Sequence, residues 1–445
     1  MAHWHDLLSD DIAEESAAWL DERQKSRGVA FGDRALCTVI RPRFFSPAQW
    51  DNLRHAGDVL LGALRTAGEA ALADREFRAA FRLEDWEETL ISRTPRHAAV
   101  TPLARIDAFI DPADGVPRLT EFNGETPAGT GYCDFLAALF LALPAMRRFS
   151  EHWVVRPLPG LPHLLGTLLD TWRVASGSRA MPSIAIVDWD DVPTLSEFLL
   201  VEHYAHAMGV PFRITTPAAL TYSGGKLRDA DGTVIDLVYK RVLLHELVAQ
   251  HGIDHPLLTA VADGAVVMIN GVHGKPLHKK ASLAVLTDER HADRFSAAEH
   301  AAIRRHVPWT RVVEARHTML DGQRIDLLPW IGDHRNELVL KPNDDYGGAG
   351  IVLGWEVDDS TWARAVARAV EEPYVVQRRI ALPSEPFAAV INGKLAIDDR
   401  IVDTAPFCWQ GQRVDGTLTR ISTSTLVNVT AGGGSTVPTF VVEPR

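Results

Sequence analysis

Cysteine is scarce in this chain: three residues in 445 (Cys37, Cys133 and Cys408), all far apart. That spacing supplies neither a disulfide framework nor a zinc-finger pattern, so free thiols in a reducing cytoplasm are expected. Positive charge is not in excess either. The net charge of −12 argues against a general nucleic-acid binder or a protein held on anionic membranes, since both depend on clustered Lys and Arg. It leaves room for a polyanionic ligand, because a nucleotide needs only a local group of cations. Long apolar runs are missing: the most apolar stretch, Phe135 to Leu143, is too short to cross a bilayer. The first residues, Met1-Ala2-His3-Trp4-His5-Asp6, lack the basic and apolar regions of a signal peptide. His3-Trp4-His5 reads as terminal and incidental. A cytoplasmic protein with no membrane and no nucleic-acid partner is therefore expected.

What is present is an ordinary globular composition, 46% hydrophobic and 23% charged, in a chain long enough for two or three packed units. Four regions are expected. Residues 1–95 read as helical, with Ser46-Pro47-Ala48-Gln49 opening a helix that runs to about Ala67. Residues 96–180 hold a hairpin and then a helix from about Cys133 to Leu143, followed by a connection marked by Pro157, Pro159 and Pro162. Residues 181–271 alternate strands (183–187, 211–215, 235–240, 265–269) with helices, the pattern of an open parallel α/β sheet. Residues 272–445 contain a strand into a glycine-containing loop (337–350), a helix at 360–370, a strand at 373–377 and a hairpin around Asn392-Gly393.

The hairpin in the second region carries the most chemistry. Asp111-Pro112-Ala113-Asp114-Gly115-Val116-Pro117 is dense in turn formers. Folding the segment about Asp114 sets Arg105 opposite Asn123 and Asp107 opposite Glu121. Alternation along each strand then brings all four to one face. Two carboxylates and a carboxamide side by side suit Mg²⁺, which takes one or two protein carboxylates and completes its shell with water or phosphate. A solvated polar face is the plainer reading of the same residues.

Three further segments bear on it. Leu338-Val339-Leu340-Lys341 delivers a lysine to Pro342-Asn343-Asp344-Asp345-Tyr346-Gly347-Gly348-Ala349-Gly350, whose glycines let backbone approach an anion. His278-Lys279-Lys280 leads into an apolar helix, where solvated lysines are the ordinary expectation. Arg420-Ile421-Ser422-Thr423-Ser424, then Asn428-Val429-Thr430-Ala431 and Gly432-Gly433-Gly434, could form a second anion cradle or a polar strand with a loose loop. Cys133 reads as a packing residue.

In chain order, Arg105-x-Asp107 with Glu121-x-Asn123, Lys280, the Lys341-Pro342 glycine loop, Gln377, Arg420 and Asn428 resemble the circularly permuted ATP-grasp ligases, the group of eukaryotic-type glutathione synthetase and glutathionylspermidine synthetase. Metal residues ahead of the lysine loop are the order the permuted group has. The resemblance covers roughly 100–440. It implies an α/β circularly permuted ATP-grasp fold with the 181–271 unit inserted as a pre-ATP-grasp-like domain behind a helical N-terminal region. It further implies Asp107, Glu121 and Asn123 as Mg²⁺ ligands; Lys280 and Lys341, with Gly347, Gly348 and Asn428, at the ATP phosphates; and Gln377 beside adenine. Arg105 and Arg420 would face the transferring phosphoryl group or the substrate carboxylate. Tyr239-Lys240-Arg241 is similar to a Tyr-Arg-Arg stretch of permuted members, and Arg241 is expected near the acceptor. Asn343-Asp344-Asp345-Tyr346 departs from the glutathione synthetase loop, and no stretch has room for a second, amidase domain.

The implied activity is an ATP- and Mg²⁺-dependent carboxylate–amine ligase acting through an acyl phosphate, a reaction resting on positioning and charge neutralisation. Peptide-like or polyamine acceptors are implied by analogy, and a homodimer by frequency. An ATP-binding protein without ligase activity and a small-molecule kinase are the alternatives.

Overall fold

The structure, a computed structural model, describes residues 2–31, 34–96, 99–344, 348–425 and 434–445. It is a mixed α/β protein. One antiparallel sheet organises it, with the strands Ser384–Ile391, Lys394–Val402, Arg413–Ser422, Ala405–Trp409, Leu103–Ile110 and Pro117–Asn123 side by side. Gly434–Val437 also pairs with Arg413–Ser422. Strands from two distant parts of the chain thus share one sheet, with the other units looped out between them.

The first hairpin sets its face by a bulge. Near the turn Ile110 pairs with Pro117 and Ala108 with Leu119, whereas further along Asp107 pairs with Glu121 and Arg105 with Asn123. Thr120 is the extra residue. The register at the charged end is the one the sequence predicts, although the turn itself is centred half a residue earlier. Ala104, Ile106, Leu119 and Phe122 cover the opposite face and are buried in a core with Leu60, Leu61 and Leu64.

Those leucines belong to the helix Pro47–Ala73. Ser46 accepts from the Gln49 amide and Gln49 returns the bond, a capping box, and Pro47 occupies the first turn, where no amide is needed. Gly57 and Gly68 let the helix lie close: a Cβ at these positions would meet Val414 Cγ2 at 2.7 Å and Leu277 Cδ1 at 2.8 Å.

The second sheet is parallel, in the order Val267–Ile269, Leu237–Lys240, Ile184–Val187, Phe212–Thr215. Ile184, Ala185, Ile186 and Val187 are all fully buried, as strands covered on both faces require. The expected 235–240 strand is broken at Asp236, which bonds Ser183 through its amide and carboxylate. Val234–Ile235 joins a small antiparallel sheet instead. A third, antiparallel sheet runs Thr310–Val312, Tyr374–Arg378, Leu338–Pro342, Val352–Leu353.

Some expectations need correction. The proline-marked connection is followed by the helix Leu161–Ser176, in which Pro162 is an early-turn residue and Leu164, Leu165 and Leu168 face the core. The helix Leu244–His251 was not foreseen. Trp4 is not incidental: it is fully buried against Phe44 and Phe149, and His3 Nδ1 accepts from Trp153 Nε1 at 3.0 Å. Gly434 opens a buried strand rather than a loose tail. Among the described residues no helix is long and apolar enough to cross a membrane.

Candidate functional site

The charged face of the first hairpin looks across a cleft at the Leu338–Pro342 and Tyr374–Arg378 strands, with about 1190 Å³ between the walls, part of it open to solvent. Arg105, Asp107, Glu121, Asn123, Lys341, Gly348, Gln377 and Arg420 all line it. Lys280 reaches it through Glu121, at 3.2 Å. Gly347 and Asn428 lie outside the described residues.

Asp107 is bonded by two arginines. Arg105 grips it side-on, Nε to Oδ1 at 2.6 Å and Nη2 to Oδ2 at 2.8 Å, and Arg420 Nη2 donates to Oδ2 at 2.8 Å. Burial alone would raise its pKa, yet the two guanidiniums outweigh that and hold it well below the usual carboxylate range. A carboxylate has about four lone-pair sites, so Oδ1 keeps one acceptor direction. Arg420 is set in turn by Asp403, whose Oδ1 accepts its amide at 3.0 Å and whose Oδ2 accepts Nε at 2.7 Å. Asp403 and its neighbour Thr404 bond the buried Arg43.

Glu121 is likewise held ionised: burial and the nearby Asp107 charge push its pKa up, and Lys280 and Lys341 more than offset them. Asn123 Oδ1 is different. It is buried and accepts no hydrogen bond from protein. An orphaned carbonyl oxygen beside two ionised carboxylates is a donor set of hard oxygens, and it fits a Mg²⁺ ion.

On the opposite wall, Lys341 Nζ donates to Thr120 O at 3.0 Å and to Gln377 Oε1 at 2.7 Å. Thr120 is the bulge residue, and its carbonyl, left out of the strand ladder, is what receives the ammonium. Burial pushes the Lys341 pKa down to about 8, with Lys280 acting in the same direction and Glu121 against it. The Gln377 amide also donates to Thr310 Oγ1 at 3.0 Å. Each end of this side chain thus makes one bond to protein, one of them to Lys341. Beyond it the cleft turns apolar, with Val339, Ile351, Leu353 and Leu382, and Trp355 carries the Arg379 guanidinium at 4.0 Å.

Lys279 and Lys280 are buried, contrary to the solvated expectation. Lys280 starts the helix Ala281–Thr287, and Asn343 clamps that start: its carbonyl accepts Lys280 N at 2.9 Å and its Oδ1 accepts Ala281 N at 2.8 Å. Arg241 does not line the cleft. It is buried between Phe198 and Tyr239 and bonds Glu197 at 3.3 Å.

Sequence reasoning missed a cluster behind the cleft. Lys240 and Lys275 pair with Glu125 at 3.1 and 2.8 Å, and Lys275 and Lys279 with Asp344 at 2.9 and 2.8 Å. Glu125 and Asp344 are held well below ordinary carboxyl pKa values by these lysines against the pull of burial. Signals existed: Glu125 continues the Glu121-x-Asn123 parity, and Lys275 and Lys279 stand four apart.

No family model matches the chain. A glutathione synthetase-like effector from Globodera pallida, solved in its apo form, superposes with a TM-score of 0.63 over 98% of each chain at 14% identity. The chain shares that effector's fold. A RimK-domain ATP-grasp protein of Sphaerobacter thermophilus overlays at a TM-score of only 0.28, over 58% of this chain and 90% of its own, at 17% identity. In sequence, uncharacterised proteins of Mycobacterium tuberculosis are 25% identical over 475 residues, covering 98% of this chain and 81% of theirs. One from Mycobacterium leprae is 23% identical over 480 residues, 98% of this chain and 79% of its own.

Proposed function

We propose that this protein is an ATP- and Mg²⁺-dependent ligase that joins a carboxylate to an amine through an acyl phosphate, on a circularly permuted ATP-grasp fold. The observation that carries the reading is the single cleft that gathers the acidic hairpin face, Lys341 and Arg420 from three distant parts of the sequence. Permutation is supported by the hairpin at 103–123 lying in one sheet with strands from 384–437, ahead of the lysine loop in the chain.

Asp107, Glu121 and Asn123 would hold Mg²⁺. When bound, it would neutralise charge on the transferring phosphoryl group. Lys280 and Lys341 neutralise the nucleotide phosphates from the opposite wall. The apolar wall with Trp355 offers the adenine ring a surface, with Gln377 on the same lining as an adenine-side contact. Arg105 and Arg420, fixed by Asp107 and Asp403, present guanidinium charge where a substrate carboxylate becomes an acyl phosphate and an amine then displaces phosphate. The 181–271 unit is the acceptor-side domain in this reading, and a cytoplasmic setting suits its ATP supply.

The test is ADP and phosphate release from Mg²⁺·ATP with a panel of acids and amines. Release that needs both an acid and an amine, with hydroxylamine trapping the acid as a hydroxamate, supports the ligase. A stable phosphate ester points to a kinase. ATP binding with no turnover on any pair points to a non-catalytic binder.

A further inference from the structure

Behind the cleft, buried ionic groups sit that the ligase reading does not use. Lys275 Nζ lies 2.8 Å from Glu125 Oε2 and 2.9 Å from Asp344 Oδ2, and its side chain is 1% exposed. Glu125 is two residues beyond Asn123, on the loop leaving the acidic hairpin. Asp344 is three residues beyond Lys341, on the loop leaving the opposite wall. Ligand oxygens and nitrogen of Glu125, His278 and Asp344 lie within 4.8 Å of one another, a spacing a divalent cation could bridge. An ammonium stands among them instead. We propose that Lys275 is a positioning residue: one buried cation that ties the metal-side loop to the phosphate-side loop and so sets the width of the cleft the triphosphate must fit.

The links are short. Asn343, next to Asp344, fixes the backbone of Lys280 and Ala281, so the Asp344 anchor holds both Lys341 and Lys280 in register. Glu125 Oε1 accepts Lys240 Nζ at 3.1 Å and the Leu244 amide at 2.7 Å, which fastens the same point to the end of a parallel strand. Lys240 pairs with Glu125 alone and Lys279 with Asp344 but not Glu125, so removing Lys275 takes away the lysine bonded to both acids and weakens the tie between the two loops. The inference rests on the cleft being an ATP site.

The experiment is calorimetric binding of Mg²⁺·AMP-PNP and of adenosine to the unaltered protein, Lys275→Met, Asp344→Asn and the double variant. Lys275→Met keeps the length and removes the charge. Asp344→Asn keeps the shape and carries the test if the first variant does not fold. Expected is a loss of about tenfold or more in AMP-PNP affinity, typical of a supporting contact behind a charged site, with adenosine affinity unchanged. The double variant should lose clearly less than the sum of the two single losses, because Lys275 and Asp344 share one contact. Unchanged AMP-PNP affinity in the folded variants, or equal losses for AMP-PNP and adenosine, would overturn the proposal. If the unaltered protein binds neither probe, it is the ATP reading that fails.

Discussion

Two strands of the main sheet, Leu103–Ile110 and Lys394–Val402, carry acids, and they treat them oppositely. In Lys394–Val402 of the second hairpin, Asp398 and Asp399 are exposed, and the Asp398 side chain is 55% accessible. In the first hairpin Asp107 is buried between two arginines. Solvated carboxylates cost nothing and signify little, whereas a buried one persists only where cations are brought to it. The comparison teaches that a hairpin's charge pattern becomes evidence of function only with its burial.

The strongest way to break this contrast is Glu121→Gln. Losing a metal-side charge should lower ATP turnover about 10³-fold, several kcal/mol in the barrier, with the melting temperature nearly kept. Full activity in a Mg²⁺ titration would remove the first hairpin from the chemistry. Asp107→Ala should act on the fold as well, because Arg105 loses its carboxylate partner. A loss of about 3–5 kcal/mol in denaturant unfolding is expected, as for other broken buried pairs.

The pH response sharpens the comparison further. Lys341 has a folded pKa of about 8 against 10.5 when unperturbed, so between those values the unfolded chain binds more protons. Stability contributed by this group therefore rises with pH from about 8 to 10.5, and Lys341→Met should flatten that part of the profile. AMP-PNP affinity should fall over the same rise as the ammonium is lost. Weaker effects belong to the second hairpin. Asn392 and Gly393 have φ of 52° and 74°, so Gly393→Ala meets open space yet strains the turn, by about 1 kcal/mol in thermal unfolding. Asp399→Asn should stay within about 0.5 kcal/mol and leave nucleotide binding alone. A large effect there would mean that exposure is a poor guide in this sheet.

Much of the site was legible because it follows local rules. Turn formers between two alternating strands brought Arg105, Asp107, Glu121 and Asn123 to one face, and a strand ending in lysine and glycine marked the facing wall. Burial was not legible. Nothing in His278-Lys279-Lys280 says that these side chains leave solvent, because their partners Glu87, Glu121, Glu125 and Asp344 come from three other segments. The bonds that occupy Gln377 and Asp107 are tertiary for the same reason. The helix Leu161–Ser176 was hidden because prolines mark breaks and helix starts alike.

The bulge at Thr120 has a consequence for how this segment can vary. If the register near the turn ran on uninterrupted, Asp107 would face Thr120, and Glu121 would lie opposite Ile106 on the core side. The single extra residue works as a parity switch. Insertions or deletions among 111–116 alter only the tip of the hairpin. Deleting Thr120 would close the ladder without a bulge, leaving Glu121 opposite Asp107 and Phe122 opposite Ile106, and would cost the site only the carbonyl that Lys341 bonds. A gap opposite Thr120 therefore leaves the charged face intact, whereas a gap opposite Glu121 takes an acid out of it.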